Sequence, residues 1–197
     1  QRVMRDVSAI DTSTMLAGDK ASMPVILAPV GMAGMMARRG ETQAVRAANA
    51  MDIPFTLSTV GICDLAEVKQ AASKPFWFQL YMMRDRGVVQ ELLARAEAAG
   101  CTKLAFTVDL AISGMRHRDL RNGALSSSFA AKAVKAFEIA RHPHWLFDVA
   151  IGGKPHGFGN LSDQVPDPNR LEAFTAWVAS QFDSSVTWKD IEWLRSV

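Results

Sequence analysis

Four short apolar runs recur along the first half of the chain, at Val25–Ala28, Ile53–Leu57, Phe76–Leu80 and Lys103–Val108. Each has the length of a strand and is bounded by Pro, Gly or polar residues. Between the runs the period lengthens. Glu41–Met51 is Ala-rich and follows Gly40, Leu65–Ala72 follows Asp64, and Gly87–Ala99 follows Asp85. Both aspartates are able to cap a helix N-terminus. In the third segment Val88, Val89, Leu92, Leu93 and Ala96 fall at i, i+1, i+4, i+5 and i+8, one apolar face of a helix. Gly100 is placed to end that helix in the left-handed conformation. The runs begin about 20–30 residues apart. Strand and helix therefore alternate, which predicts a parallel α/β sheet.

Two parallel architectures compete for this pattern. A doubly wound sheet announces a nucleotide with a G-x-G-x-x-G turn after its first strand. Gly31-Met32-Ala33-Gly34 lacks that spacing. A (β/α)8 barrel instead gathers its chemistry at the C-terminal ends of the strands. Each run here ends in such residues: Pro29 and Gly31, Ser58, Gln79 and Tyr81, Thr107 and Asp109. The preferred fold is the first half of a (β/α)8 TIM barrel, spanning residues 1–197 as one domain, with the remaining units expected in a longer polypeptide. Residues 111 to about 168 form a Gly-, Ser-, Pro- and His-rich excursion after the fourth strand, with a helical island at Phe129–Arg141. Such an excursion reads as a lid or binding loop. Leu171–Phe182 and Trp188–Leu194 are expected to be helical.

Composition excludes several classes. The net charge of +2 offers no electrostatic footprint for nucleic acid. Cys63 and Cys101 are too few for a disulfide scaffold and read as reduced intracellular thiols. The longest uncharged run, Ala21–Ala37, is broken by two prolines and two glycines and suits a buried strand and loop better than a membrane span.

The strand-end residues sort into two chemistries. The Gly31 N–H, the Ser58 and Thr107 hydroxyls and the Gln79 amide are neutral hydrogen-bonding groups, suited to a flat heteroaromatic ring. Tyr81 and Arg116 suit a carboxylate, with the guanidinium offering paired donors. The plainer reading is that strand ends are polar and that Arg116 is a solvated loop charge.

Resemblance weighs between them. LAPVGMAG (Leu27–Gly34), FTLSTVG (Phe55–Gly61), WFQLY (Trp77–Tyr81), FTVD (Phe106–Asp109) and GMRHRDLRNG (Gly114–Gly123) resemble, in order and spacing, the FMN-dependent 2-hydroxy-acid oxidases and dehydrogenases. ARRGE (Ala37–Glu41), RDRG (Arg84–Gly87), HPHW (His142–Trp145) and GKPHGFGN (Gly153–Asn160) resemble the bacterial L-lactate dehydrogenase branch. The resemblance implies an FMN cofactor and oxidation of an L-2-hydroxy acid, with L-lactate the leading substrate. It implies that Pro29, Val30 and Gly31 lie along the flavin ring, that Ser58 and Gln79 bond its pyrimidine part, and that Thr107 lies near it. Tyr81 is then a catalytic and substrate-binding residue, Arg116 binds the carboxylate, and Asp109 orients the catalytic base. It further implies a quinone or other electron acceptor, a homo-oligomer, and a cytoplasmic protein peripheral to the inner face of the membrane. Family oxidases commonly carry Ala at the position of Gly31. The alternatives are a non-catalytic flavin- or carboxylate-binding half-barrel, and a related mandelate or glycolate enzyme.

The family's catalytic histidine, a lysine near flavin N1 and a second arginine have no counterpart here. His117 reads as a loop residue, and His142 and His144, flanking Pro143, as a stiff turn rather than a metal site. Met32, Met35 and Met36 read as packing, Trp77 as pointing outward to the helices, and Arg84–Asp85–Arg86 as a solvated helix start. On the helical island Phe129, Ala133, Val134 and Phe137 form an apolar stripe beside Lys132, Lys135 and Arg141. That stripe packs on the barrel as a lid or lies on an anionic membrane surface.

Overall fold

A computed structural model of the chain describes residues 4, 6–109, 117–121, 128–165, 177 and 180–197. It opens on an antiparallel hairpin, β1 (Thr14–Leu16) and β2 (Asp19–Ala21). The turn residues Ala17 and Gly18 have φ of 47° and 89°, the positive values that a two-residue hairpin turn requires. The hydrophobic pattern does not announce this hairpin, because three-residue strands are too short to display a period.

A parallel sheet follows in the order β3 (Thr56–Ser58), β4 (Trp77–Tyr81), β5 (Lys103–Thr107). The run Val25–Ala28, expected as the first strand, contributes a single parallel bridge, Leu27 to Phe55. The Leu27 N–H donates to the Pro54 carbonyl and its own carbonyl accepts from Thr56 N–H, both at 3.0 Å. Pro24 and Pro29 flank the run and have no N–H with which to extend the ladder.

The helices on this sheet are α1 (Ala33–Met36), α2 (Gly40–Met51), α3 (Leu65–Ala71) and α4 (Arg86–Ala98). Their ends follow from local chemistry. Asp64 accepts from Glu67 N–H at 2.7 Å and Asp85 from Gly87 N–H at 2.9 Å. Gly100, at φ 84°, closes α4 as expected. Strand register sorts the side chains onto two faces. Leu57, Phe78 and Leu80 are fully buried and share one cluster with Val45 of α2, Val68 of α3 and Val89 and Leu92 of α4. The opposite face carries Ser58, Gln79, Tyr81 and Thr107.

Trp77 corrects an expectation. It stands on the face of Gln79, not on the helix-packed face. Its indole N–H donates to Asp19 Oδ2 at 2.7 Å, and Asp19 also pairs with Lys103 at 3.2 Å. The hairpin supplies the partner that lets a large aromatic residue sit on the polar face, and the hairpin was invisible in the pattern. Arg86 is likewise not a solvated charge. It reaches Asp183 at 2.8 Å and Asp190 at 2.7 Å and lies over the Trp193 ring.

The excursion contains α5 (His117–Arg121), α6 (Phe129–Arg141), α7 (Pro143–Trp145), a π-helical turn at Leu146–Ile151 and a 3-10 turn at Gly159–Leu161. The expected stiff turn at His142–His144 is a helix start, with Pro143 in the first turn where its missing N–H costs nothing. Helix α8 (Trp188–Ser196) carries a capping box of Thr187 and Asp190. Most of the predicted helix Leu171–Phe182 lies outside the described residues. On α6, Phe129, Val134 and Phe137 are 89%, 58% and 62% exposed.

Candidate active site

Because β3, β4 and β5 run parallel, their C-terminal ends meet at one edge of the sheet. A chain of neutral hydrogen bonds crosses all three strands there. Ser58 Oγ donates to Gln79 Oε1 at 3.1 Å, and Gln79 Nε2 donates to Thr107 Oγ1 at 2.9 Å. Gln79 Oε1 also accepts from Thr59 N–H at 3.3 Å, and the Thr59 hydroxyl donates to the Gln79 carbonyl at 2.5 Å. Gln79 and Ser58 are each 2% exposed. Ser58, Gln79 and Thr107, three of the six residues expected to meet a flavin ring, are thus assembled into one unit, carrying hydroxyl protons that can rotate to suit a partner.

Pro29, Val30 and Gly31 are exposed beside this edge. Met32 N–H donates to the Val60 carbonyl at 3.0 Å, tying their loop to the one that follows β3. A Cβ added at Gly31 would meet Val60 Cγ2 at 2.9 Å. Tyr81 ends β4 on the Gln79 face, half-buried, with its ring 5.5 Å from that of Phe182. Phe182 was expected in a helix, yet it bridges Met83 in antiparallel fashion. Asp109 is exposed just beyond β5. Arg116 lies outside the described residues.

Glu41 and Asn160 are buried polar residues to which the sequence alone gives no role. Glu41, 2% exposed, accepts from Ile62 N–H at 2.8 Å and Gly34 N–H at 3.2 Å. Asn160, 1% exposed, contacts both ends of the loop between β3 and α3. A buried carboxylate or amide leaves no trace in a hydrophobic pattern when its partners are backbone groups elsewhere in the chain.

Burial pushes the Cys63 and Cys101 thiols up to about 12, with the Glu41 carboxylate adding to the effect on Cys63. Neither is a nucleophile near neutral pH. Among the described residues no three His, Cys, Asp or Glu side chains gather as a metal site.

The model of the FMN-dependent dehydrogenases matches residues 1–197. The chain belongs to the FMN-dependent dehydrogenase family. It is 47% identical over 195 residues to an L-lactate dehydrogenase of Vibrio parahaemolyticus, covering 99% of this chain and 51% of that protein. To an L-lactate dehydrogenase of Chromohalobacter salexigens it is 48% identical, covering 99% of this chain and 49% of the relative. The chain thus spans about half the length of the curated relatives it matches. Among solved structures, the monotopic membrane protein (S)-mandelate dehydrogenase superposes with a TM-score of 0.85 at 31% identity, over 99% of this chain and 51% of the other. A mandelate oxidase bound to (S)-4-hydroxymandelic acid gives 0.72 at 28% identity, over 99% and 48%.

FMN is the cofactor of this family, and the residues present fit it. The Ser58–Gln79–Thr107 chain presents neutral donors and acceptors on one edge. The backbone at Gly31 is uncovered by any side chain of its own. The space a Cβ would take there already touches Val60.

Proposed function

We propose that this chain is the N-terminal half of a (β/α)8 barrel that, in the complete polypeptide, oxidises L-lactate to pyruvate with FMN. The barrel is supported by a parallel sheet whose α2, α3 and α4 pack on one face and whose other face is polar at the strand ends. The observation that carries the function is the hydrogen-bonded chain Ser58–Gln79–Thr107 at that edge, in a chain nearly half identical to L-lactate dehydrogenases.

In this reading Pro29, Val30 and Gly31 lie along the flavin ring, Ser58 and Gln79 bond its pyrimidine part, and Thr107 lies beside it. Bound FMN supplies a two-electron acceptor for the hydroxy acid. Tyr81 places its hydroxyl on the substrate, and Phe182 packs against its ring in a tilted contact. Arg116 offers a pair of charge-assisted donors to the substrate carboxylate. Asp109 orients a base contributed from outside these residues.

The complete encoded polypeptide should purify yellow and release flavin on denaturation. Arg116→Met should lower kcat/KM for L-lactate by about 10–150-fold, the loss of a charge-assisted contact, while flavin content stays at the wild-type level. A colourless protein that takes up no added FMN sinks the cofactor assignment. Unchanged lactate kinetics in the variant, or a clear preference for mandelate, sinks the substrate assignment.

A surface role for α6 has its own support. Phe129, Val134 and Phe137 are exposed on a helix that also carries Lys132, Lys135 and Arg141. Among the described residues no helix is long and apolar enough to cross a membrane. We propose that α6 lies on an anionic bilayer at its cytoplasmic face, where a quinone would be within reach as electron acceptor. Sedimentation with phosphatidylglycerol vesicles should recover the protein, and Phe129→Ser with Phe137→Ser should release it. Equal recovery of both proteins counts against this surface.

A further inference from the structure

The excursion returns to the sheet as a strap over residues 142–165, and its anchor lies under the candidate flavin edge. Trp145 Nε1 donates to the Met35 carbonyl at 2.9 Å, and Arg39, ion-paired with Glu67, donates to the Pro155 carbonyl at 3.0 Å. Farther along, Gly159 N–H donates to the Gly61 carbonyl at 3.1 Å. A Cβ at Gly159 would stand 2.6 Å from Asp64 N and 2.8 Å from the Ile62 carbonyl, so strap and loop touch backbone to backbone. Asn160 completes the junction. Its Oδ1 accepts from Leu65 N–H at 2.9 Å and its Nδ2 donates to the Ser58 carbonyl at 3.3 Å. The amide orientation is set by these partners, since an N–H needs the oxygen and a carbonyl needs the nitrogen. One side chain thus spans the two ends of the β3–α3 loop.

The loop is held from its other side by Glu41, through Ile62 N–H and Gly34 N–H. Glu41 Oε2 has no hydrogen-bond partner among the described residues, and the buried Cys63 thiol lies beside it. The loop between these two clamps begins with Ser58, Thr59 and Val60, the residues that meet Gln79 and crowd Gly31.

We propose that Asn160 is a positioning residue for the flavin site, fixing the β3–α3 loop so that Ser58 is presented to the cofactor. The proposal rests on the reading that Ser58 meets FMN. It makes the strap a support of the redox site, beyond any role as lid or surface anchor. Asn160→Asp retains the acceptor for Leu65 N–H but turns an oxygen toward the Ser58 carbonyl. Asn160→Ala removes both contacts.

The test titrates FMN into the complete encoded polypeptide stripped of flavin, recording Kd, the visible flavin band and Tm. Four variants are compared: Asn160→Asp, Asn160→Ala, Ser58→Ala and Asn49→Ala. Asn49 accepts from Ser73 N–H at 2.7 Å and Ser73 Oγ at 3.1 Å near the end of α2, so its variant reports loss of a structural bond elsewhere. Both Asn160 variants should weaken FMN binding about tenfold or more and shift the flavin band as Ser58→Ala does. Asn49→Ala should lower Tm and leave Kd and band in place. Where Asn160→Ala does not fold, Asn160→Asp, which keeps one of the two bonds, carries the comparison. Wild-type Kd and band in Asn160→Asp, with Ser58→Ala impaired, overturns the proposal. Wild-type binding by Ser58→Ala overturns instead the site reading beneath it.

Discussion

The 197-residue chain expressed alone should turn over L-lactate no faster than background. Its sheet ends at β5 with no further strand beside it among the described residues, and β3 is flanked by a single bridge. Open strand edges invite association or need a complement. The chemistry argues the same way. His142 Nδ1 is engaged with the Glu138 carbonyl and His156 Nε2 with the Ala150 carbonyl, and neither residue stands at the end of a strand. Without a base, a proton-abstracting step loses about 10²–10⁴-fold in rate. The measurement supplies FMN, L-lactate and a dye acceptor to the chain alone. It is then repeated with the C-terminal half of a full-length L-lactate dehydrogenase relative added in trans. Robust turnover by the chain alone would overturn the half-barrel reading and the placement of the base outside it.

Replacing Gln79 with leucine should lower stability by about 2–5 kcal/mol and abolish flavin retention. Gln79 is the middle of the hydrogen-bonded chain, and its loss strips a partner from the Ser58 and Thr107 hydroxyls at once, while Thr59 N–H keeps its bond to the residue-79 backbone carbonyl. Each buried group left without a partner costs about 1–3 kcal/mol. Leucine matches the volume but repairs none of these bonds. Gln79→Glu is the informative companion. It keeps the two acceptor contacts, cannot donate to Thr107, and brings a charge to a neutral site. Urea unfolding and the flavin-to-protein ratio of the complete polypeptide report the two effects separately. An unchanged midpoint with full flavin content in the leucine variant would remove Gln79 from the site.

Much of the scaffold was legible because it depends on neighbours in the chain. The 3.6-residue spacing of Val88, Val89, Leu92 and Ala96 and the caps Asp64, Asp85 and Gly100 are local, and the structure keeps them. The bounds of Phe129–Arg141 were also visible, since a helix writes its period directly into side-chain order. Ser58, Gln79 and Thr107 stood out as polar residues closing apolar runs.

The tertiary structure decided which of these groups meet and what lies beneath them. Trp77 could be placed only once the hairpin brought Asp19 across 58 residues to its indole. Arg86 looked solvated until Asp183 and Asp190 arrived from 97 and 104 residues away. Asn160 binds backbone groups 95 and 102 residues earlier. Periodicity and capping are properties of consecutive residues, so the sequence by itself determined the parallel α/β order and the polar strand ends. A buried polar side chain is stable only where distant N–H and C=O groups converge on it, and that convergence exists only after the chain has folded.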